Sequence, residues 1–259
     1  MPIFKRYIGI DYSGAQTPGA PLKGLRVYLA EGIAEPTEVM PPLFPSRKYW
    51  SRREIAEWLI RELSKDISTF VGIDHGFSFP VQYFEQHQLP LDWDFFLKDF
   101  QQHWPTHEEI YVDEVRNGIK GNGSARIGNS RWRRLSEQRS IKAKSVFHFD
   151  VPGSVAKSTH TGLPWLLHIR NRLDKSVHFW PFDGWAPPKG RSVITEAYPS
   201  LWSKNFDMAN RTQDQHDAFT IAAHISFLDK LNQLVPLFTP DLTEAERVTA
   251  RIEGWILGV

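Results

Sequence analysis

Five acidic residues carry the clearest chemical signal in this chain. Asp11, Asp74 and Glu196 each stand at the end of a short apolar run, namely Phe4 to Ile10, Thr69 to Ile73 and Ser192 to Thr195. Asp214 and Asp217 lie three residues apart at the start of a stretch whose apolar positions continue through Ala218, Ile221, Ala222, Ile225 and Leu228. That spacing places both acids on the inward stripe of a helix. If the three runs are neighbouring parallel strands, about 4.8 Å apart, their carboxylates meet beyond one sheet edge, where open α/β sheets bind ligands. Converging carboxylates repel one another unless protons or cations compensate. All-oxygen donors select a hard ion, Mg²⁺ or Mn²⁺, in one or two copies. Each acid alone has a structural explanation, because strand-end aspartates accept turn hydrogen bonds and first-turn aspartates complement the helix dipole. Only the combination points to a site, and it requires that the acid tips meet without being committed to nearby arginines.

The elements that must position these acids can be read from the patterning. Phe4 to Ile10, Leu25 to Ala30 and Thr37 to Met40, joined by Gly- or Pro-containing connections, predict an antiparallel meander. A capping box at Ser51 to Glu54, followed by Ile55, Leu59 and Leu63, predicts a helix. Further capping boxes at Thr212 to Gln215 and Thr243 to Glu246 open two more helices, the second with Val248, Ile252 and Ile256 as its apolar face. Another helix is expected near Leu163 to Leu173. From about residue 90 to 160 the pattern lapses, and Asn117 to Asn129 holds four glycines, which predicts a loop-rich insertion. No linker or repeat divides the chain, so the expectation is one α/β domain over residues 1–259 interrupted by that insertion.

Composition narrows the chemistry. With 259 residues, 41% hydrophobic and 24% charged, the chain has the make-up of a globular protein. Basic and acidic residues balance at 31 to 30, so affinity for nucleic acid would have to come from local clustering. The absence of cysteine excludes disulfides, thiolate metal sites and a thiol nucleophile. No apolar run approaches the roughly 18 residues that span a bilayer, and the apolar start is interrupted at Asp11. The expectation is a soluble, unprocessed, cytoplasmic protein without a membrane partner.

Clustering does occur. Between Val115 and His148 nine Lys or Arg residues face a single acid, Glu137. Within that stretch Arg131, Arg133 and Arg134 surround Trp132, a composition suited to phosphate contact and base stacking. The alternative is a surface whose cations pair with Asp92, Asp94, Glu108, Glu109, Asp113 and Glu114 upstream. Lys157 and Thr159, before the expected helix, are a second candidate phosphate contact. His75 and His216, beside the acids, could move protons or touch phosphate, or could simply be packed. Ser13 is a candidate substrate contact; no His/Asp partner marks it as a nucleophile. His103 and His107 have zinc-pair spacing, but Pro105 lies between them and they are set aside.

On these residues the chain resembles the ribonuclease H-like superfamily. GIDYSG at Gly9 to Gly14 and DQHDA at Asp214 to Ala218 look like motifs of Holliday-junction resolvases. Within the superfamily it is most similar to the family called domain of unknown function 429, through GIDYSG, GIDHGFSFP at Gly72 to Pro80, SVAKSTHTGLPWL at Ser154 to Leu166, TEAYPSLW at Thr195 to Trp202 and DQHDAF at Asp214 to Phe219. The resemblance implies a mixed five-stranded sheet, an antiparallel three-strand meander followed by two parallel strands, flanked by helices. It also implies metal ligands at Asp11, Asp74, Asp214 and Asp217. Resolvases commonly carry glutamate at the second strand end, whereas this chain has Asp74 there and places its glutamate at Glu196. The implied activity is metal-dependent phosphodiester hydrolysis of nucleic acid. In it Asp11 bridges the ions, Asp74 and Asp217 each support one, and Glu196 or Asp214 completes coordination or orients water. Two alternatives stand beside it: a non-catalytic nucleic-acid or protein-binding module, and a phosphotransferase of the actin-like or sugar-kinase type, which needs a duplicated domain.

Overall fold

An unbroken apolar run makes the first strand, β1 (Arg6–Tyr12), in which every residue is buried, as befits a strand covered on both faces. The computed structural model describes residues 2–41, 47–140 and 142–259. After β1 come β2 (Leu25–Glu31), β3 (Thr37–Glu38), α1 (Arg52–Leu63) and β4 (Thr69–Asp74). Four short helices follow: α2 (Val81–Gln86), α3 (Trp93–His103), α4 (Val112–Arg116) and α5 (Leu135–Arg139). The chain ends with α6 (Ala156–Leu173), β5 (Val177–Phe179), β6 (Ser192–Glu196), α7 (Gln213–Lys230) and α8 (Glu244–Glu253). The strands form one sheet in the order β3-β2-β1-β4-β6-β5. β1, β2 and β3 are mutually antiparallel, while β1, β4, β6 and β5 run parallel.

The fold is thus α/β with a mixed sheet of six strands where five were expected. The extra strand, β5, has only three residues, too few to show a periodicity. The predicted capping boxes are present at α1, α7 and α8. The stretch expected to be loop-rich contains α3, α4 and α5, held by an aromatic cluster in which Phe79 meets Phe96, Phe100 and Phe147. α6 begins at Ala156, ahead of the expected start, and contains Pro164. A proline there has no N–H for the His160 carbonyl; the Thr106 hydroxyl donates to it instead, at 2.6 Å. In α8, Val248 is exposed rather than inward, and Ile256 lies past the helix, bridged to Glu196.

The two sheet faces are packed differently. Ile8, Ile10, Val71, Ile73 and Ile194 pack with Leu59 of α1 and Leu166 of α6. On the other face Tyr7, Phe70 and Val193 pack with Ile221 and Ile225 of α7. Gly9 and Gly72 are register partners on this second face. A Cβ on Gly9 would lie 2.1 Å from the Ala218 carbonyl oxygen, and one on Gly72 would lie 2.5 Å from Ile221 Cγ2. Two glycines side by side therefore let α7 rest on the strand backbones. That close seat brings the first turn of α7 over the ends of β1 and β4. No helix among the described residues is long and apolar enough to cross a membrane.

Candidate active site

Asp11 and Asp74 are register partners on neighbouring parallel strands. Each follows its strand's glycine by two residues, so both side chains leave the sheet on the α7 side. Asp11 is buried and accepts the Ser13 N–H at 2.9 Å. Burial pushes its carboxyl up to about 8; the Ser13 hydrogen bonds oppose this, and the charges of Asp214 and Asp217 reinforce it. Asp74 is held well above the ordinary carboxylate range by burial, then by the charges of Asp11, Asp217 and Glu196. Asp217 is raised by burial and by Asp214, against the Gln213 amide, which donates to it at 2.9 and 3.0 Å, and against the nearby His216. Asp214 is also raised by burial, but Arg26 and Lys23 draw it the other way, toward β2. Asp11, Asp74 and Asp217 thus form the centre, and Asp214 stands at its edge. Among the described residues no group of three His, Asp or Glu side chains is close enough to hold a metal ion in this arrangement. The donor chemistry nevertheless suits a hard cation, since every candidate atom is a carboxylate oxygen carrying uncompensated charge.

Glu196 corrects the expected constellation. β6 pairs with β4 so that Glu196 is the register partner of Ile73, not of Asp74. A one-residue offset turns a side chain to the opposite face, and Glu196 points away from α7. There it receives both terminal nitrogens of Arg134, at 2.6 and 2.7 Å, and the Phe77 N–H at 3.2 Å. Arg134 also donates to Glu137 at 2.9 Å. Glu253 closes the cluster, accepting the N–H groups of Val81 and Leu135 at 2.7 and 2.6 Å. Burial alone would weaken the Arg134 guanidinium's hold on its proton, but the charges of Glu196 and Glu137 more than reverse that. Glu196 is therefore a structural anchor of the β4 exit loop, and Arg134, about 1% exposed, is no substrate contact.

Other expected contacts are placed as follows. Ser13 remains at the centre through Asp11. His75 is buried between Tyr12 and Phe77, donates from Nδ1 to the Gly76 carbonyl at 2.8 Å, and is held down to about 4 by burial; it is a neutral packing residue. His216 is buried and donates to the Ser203 carbonyl at 3.1 Å, turned away from Asp217. Lys157 pairs with Asp113, and Thr159 is buried with its hydroxyl accepting the Gly76 N–H. Both lie inside α6, so the expected phosphate-binding helix entry is corrected to a loop clamp. Arg133 donates to the carbonyls of Glu137 and Ala143. Arg116, Lys120, Arg126 and Arg139 pair with Asp150, Glu114, Asp99 and Glu246. The basic stretch is thus largely neutralised within the molecule, while Arg131 is exposed and in no ion pair. Trp132 packs against Phe147.

Two residues at the centre escaped sequence reading. The Tyr198 phenol is raised by burial and by the charges of Asp74 and Asp217; its position two residues beyond Glu196 was the only signal. Arg52, buried, donates to the carbonyls of Gly14 and Gln16 and so holds the loop after β1. A cavity of about 30 Å³, room for a water molecule, lies between Asp74, Tyr198 and the Arg134 cluster. Comparison of the chain with protein families, curated proteins and solved structures found no match.

Proposed function

We propose that this protein is a divalent-cation-dependent phosphodiester hydrolase with a ribonuclease H-like arrangement, acting on nucleic acid. The observation that carries this reading is the register pairing of Asp11 with Asp74 beneath Asp217, three carboxylates short of donors and raised by one another's charge. Such a cluster gains most from Mg²⁺ or Mn²⁺, held by Asp11 and Asp74 with Asp217 drawn in as the third donor. The ion supplies an activated water and neutralises charge on the phosphoryl oxygens. The chain's own residues set the stage: Ser13 orients Asp11, the Gln213 amide steadies Asp217, and the Arg134–Glu196 pair anchors the loop after Asp74. The antiparallel β1-β2-β3 meander followed by parallel β4 and β6 supports the same reading of the fold.

The test is turnover of duplex, single-stranded and four-way-junction DNA, of RNA, and of a chromogenic phosphodiester, with Mg²⁺ or Mn²⁺. Activity that disappears in Asp11→Asn at unchanged folding supports the reading. No turnover of any substrate with either ion, or full activity of Asp11→Asn, overturns it. The non-catalytic module has one observation in its favour: no ion is pre-seated by three donors, so shared protons could quiet the acids. Nucleic-acid binding without turnover selects that second reading. The phosphotransferase alternative loses ground, because the described residues hold one sheet and no duplicate of it.

A further inference from the structure

A cavity of about 310 Å³ opens between the end of α3, the segment after α4, the chain from Phe147 to Asp150, and the first turn of α6. It lies at the lower end of the roughly 300–1,000 Å³ usual for small-molecule pockets. Its walls are aromatic. The rings of Trp104 and Phe149 are within 12° of parallel, with centroids 6.1 Å apart. Phe147 is seated on Gly128, where any Cβ would come within 2.1 Å of the ring. Arg116, paired with Asp150, stands at the mouth with its guanidinium 4.8 Å over the Phe149 ring.

His160 is the polar group in this aromatic wall. It is 1% exposed, and its ring centroid lies 4.6 Å from those of both Trp104 and Phe149. Its Nδ1–H donates to the Ala156 carbonyl at 2.8 Å. Nε2 is therefore a lone-pair acceptor, and no donor among the described residues reaches it. Burial also keeps the ring neutral.

We propose that this cavity binds a planar nitrogen heterocycle of purine size, stacked on the aromatic walls and donating a ring N–H to His160 Nε2. The chemistry separates this ligand from its competitors. A hydrocarbon leaves the buried acceptor unmet. A cation would take its place beside Arg116, which already occupies the Phe149 face. An anion finds there only a guanidinium committed to Asp150. A flat heterocycle satisfies both ring faces and the lone acceptor, as bases do on aromatic platforms, with Asn117 and Ser130 at the mouth for its polar edge. The inference rests on this cavity alone and not on the carboxylate centre.

The test titrates the full chain with adenosine by calorimetry and saturation-transfer NMR, with benzyl alcohol and choline as comparison ligands. Saturable one-site binding of adenosine is expected, with Kd of about 1 mM or tighter. His160→Phe, which keeps the ring and removes the acceptor, should weaken binding at least tenfold, and so should Ile127→Trp, placed on an exposed residue at the mouth. No saturation by adenosine overturns the proposal, as does binding unchanged in Ile127→Trp or tighter binding of choline or benzyl alcohol. If His160→Phe does not fold, the Ile127→Trp result decides.

Discussion

Two groups of carboxylates lie within a few residues of one another at the ends of β1, β4 and β6, and their circumstances are opposite. On the α7 side, Asp11, Asp74 and Asp217 are buried, have few donors, and raise one another. On the other side, Glu196, Glu137 and Glu253 surround Arg134 and accept hydrogen bonds from it and from the backbone. Burial penalises a charge in both places; what differs is whether compensation is built in. A carboxylate cluster with its own guanidinium holds structure together, whereas one without it is left to take protons or an ion.

The comparison can be broken most severely at Arg134. Replacing it by Met leaves three buried glutamates without their cation, and a loss of about 3–5 kcal/mol is expected, read by urea unfolding. Stability equal to the parent chain would mean that the cluster is not a charge-compensated anchor. Removing an acid from the other group should act in the opposite sense.

Next in size is the seat of α7. Gly9→Ala forces a methyl into the Ala218 carbonyl, and about 1–3 kcal/mol should be lost. Lifting α7 should also separate Asp217 from Asp11 and lower the Asp11 pKa, measurable by carboxyl-carbon NMR titration. An unchanged titration would show that the helix does not set that field.

The pH dependence sharpens the contrast. Asp11 titrates near 8 in the folded chain and near 3.9 when unfolded, so between those values the native state holds a proton that the unfolded state has released. Stability is then greatest at the acid end of the window and falls as pH rises toward 8. The slope is about 1.4 kcal/mol per pH unit for each such group. Asp11→Asn should flatten this slope and be the more stable chain at pH 8; a slope that persists undiminished would assign the proton elsewhere. The smallest effect is expected for Ser13→Ala, which removes a hydrogen bond to ionised Asp11. Its pKa should rise further, with a stability change of about 0.5–1.5 kcal/mol, and a downward shift would contradict the assigned geometry.

Much of the site was legible because its parts are local. The repeated Gly-Ile-Asp at residues 9–11 and 72–74 marks two strands that must end alike, and the capping box at Thr212 places Asp214 and Asp217 in a first helical turn. Glu196 was misplaced because strand register is not written in the strand itself: sliding β6 by one residue leaves its apolar pattern intact but reverses its face. The basic stretch misled for a related reason. Its excess of cations is visible in sequence, but its partners Asp99, Asp150 and Glu246 are brought to it only by folding.

Sequence by itself determined the helix starts, the meander and the aspartates that end β1 and β4, since these follow from capping, alternation and turn chemistry among near neighbours. Tertiary structure alone decided which acids are compensated, through the offset between β4 and β6, the reach of Arg134 across 62 residues to Glu196, and the glycine seat that lowers α7 onto the sheet. Charge interactions depend on distance and burial, and both are properties of the packed chain rather than of any segment of it.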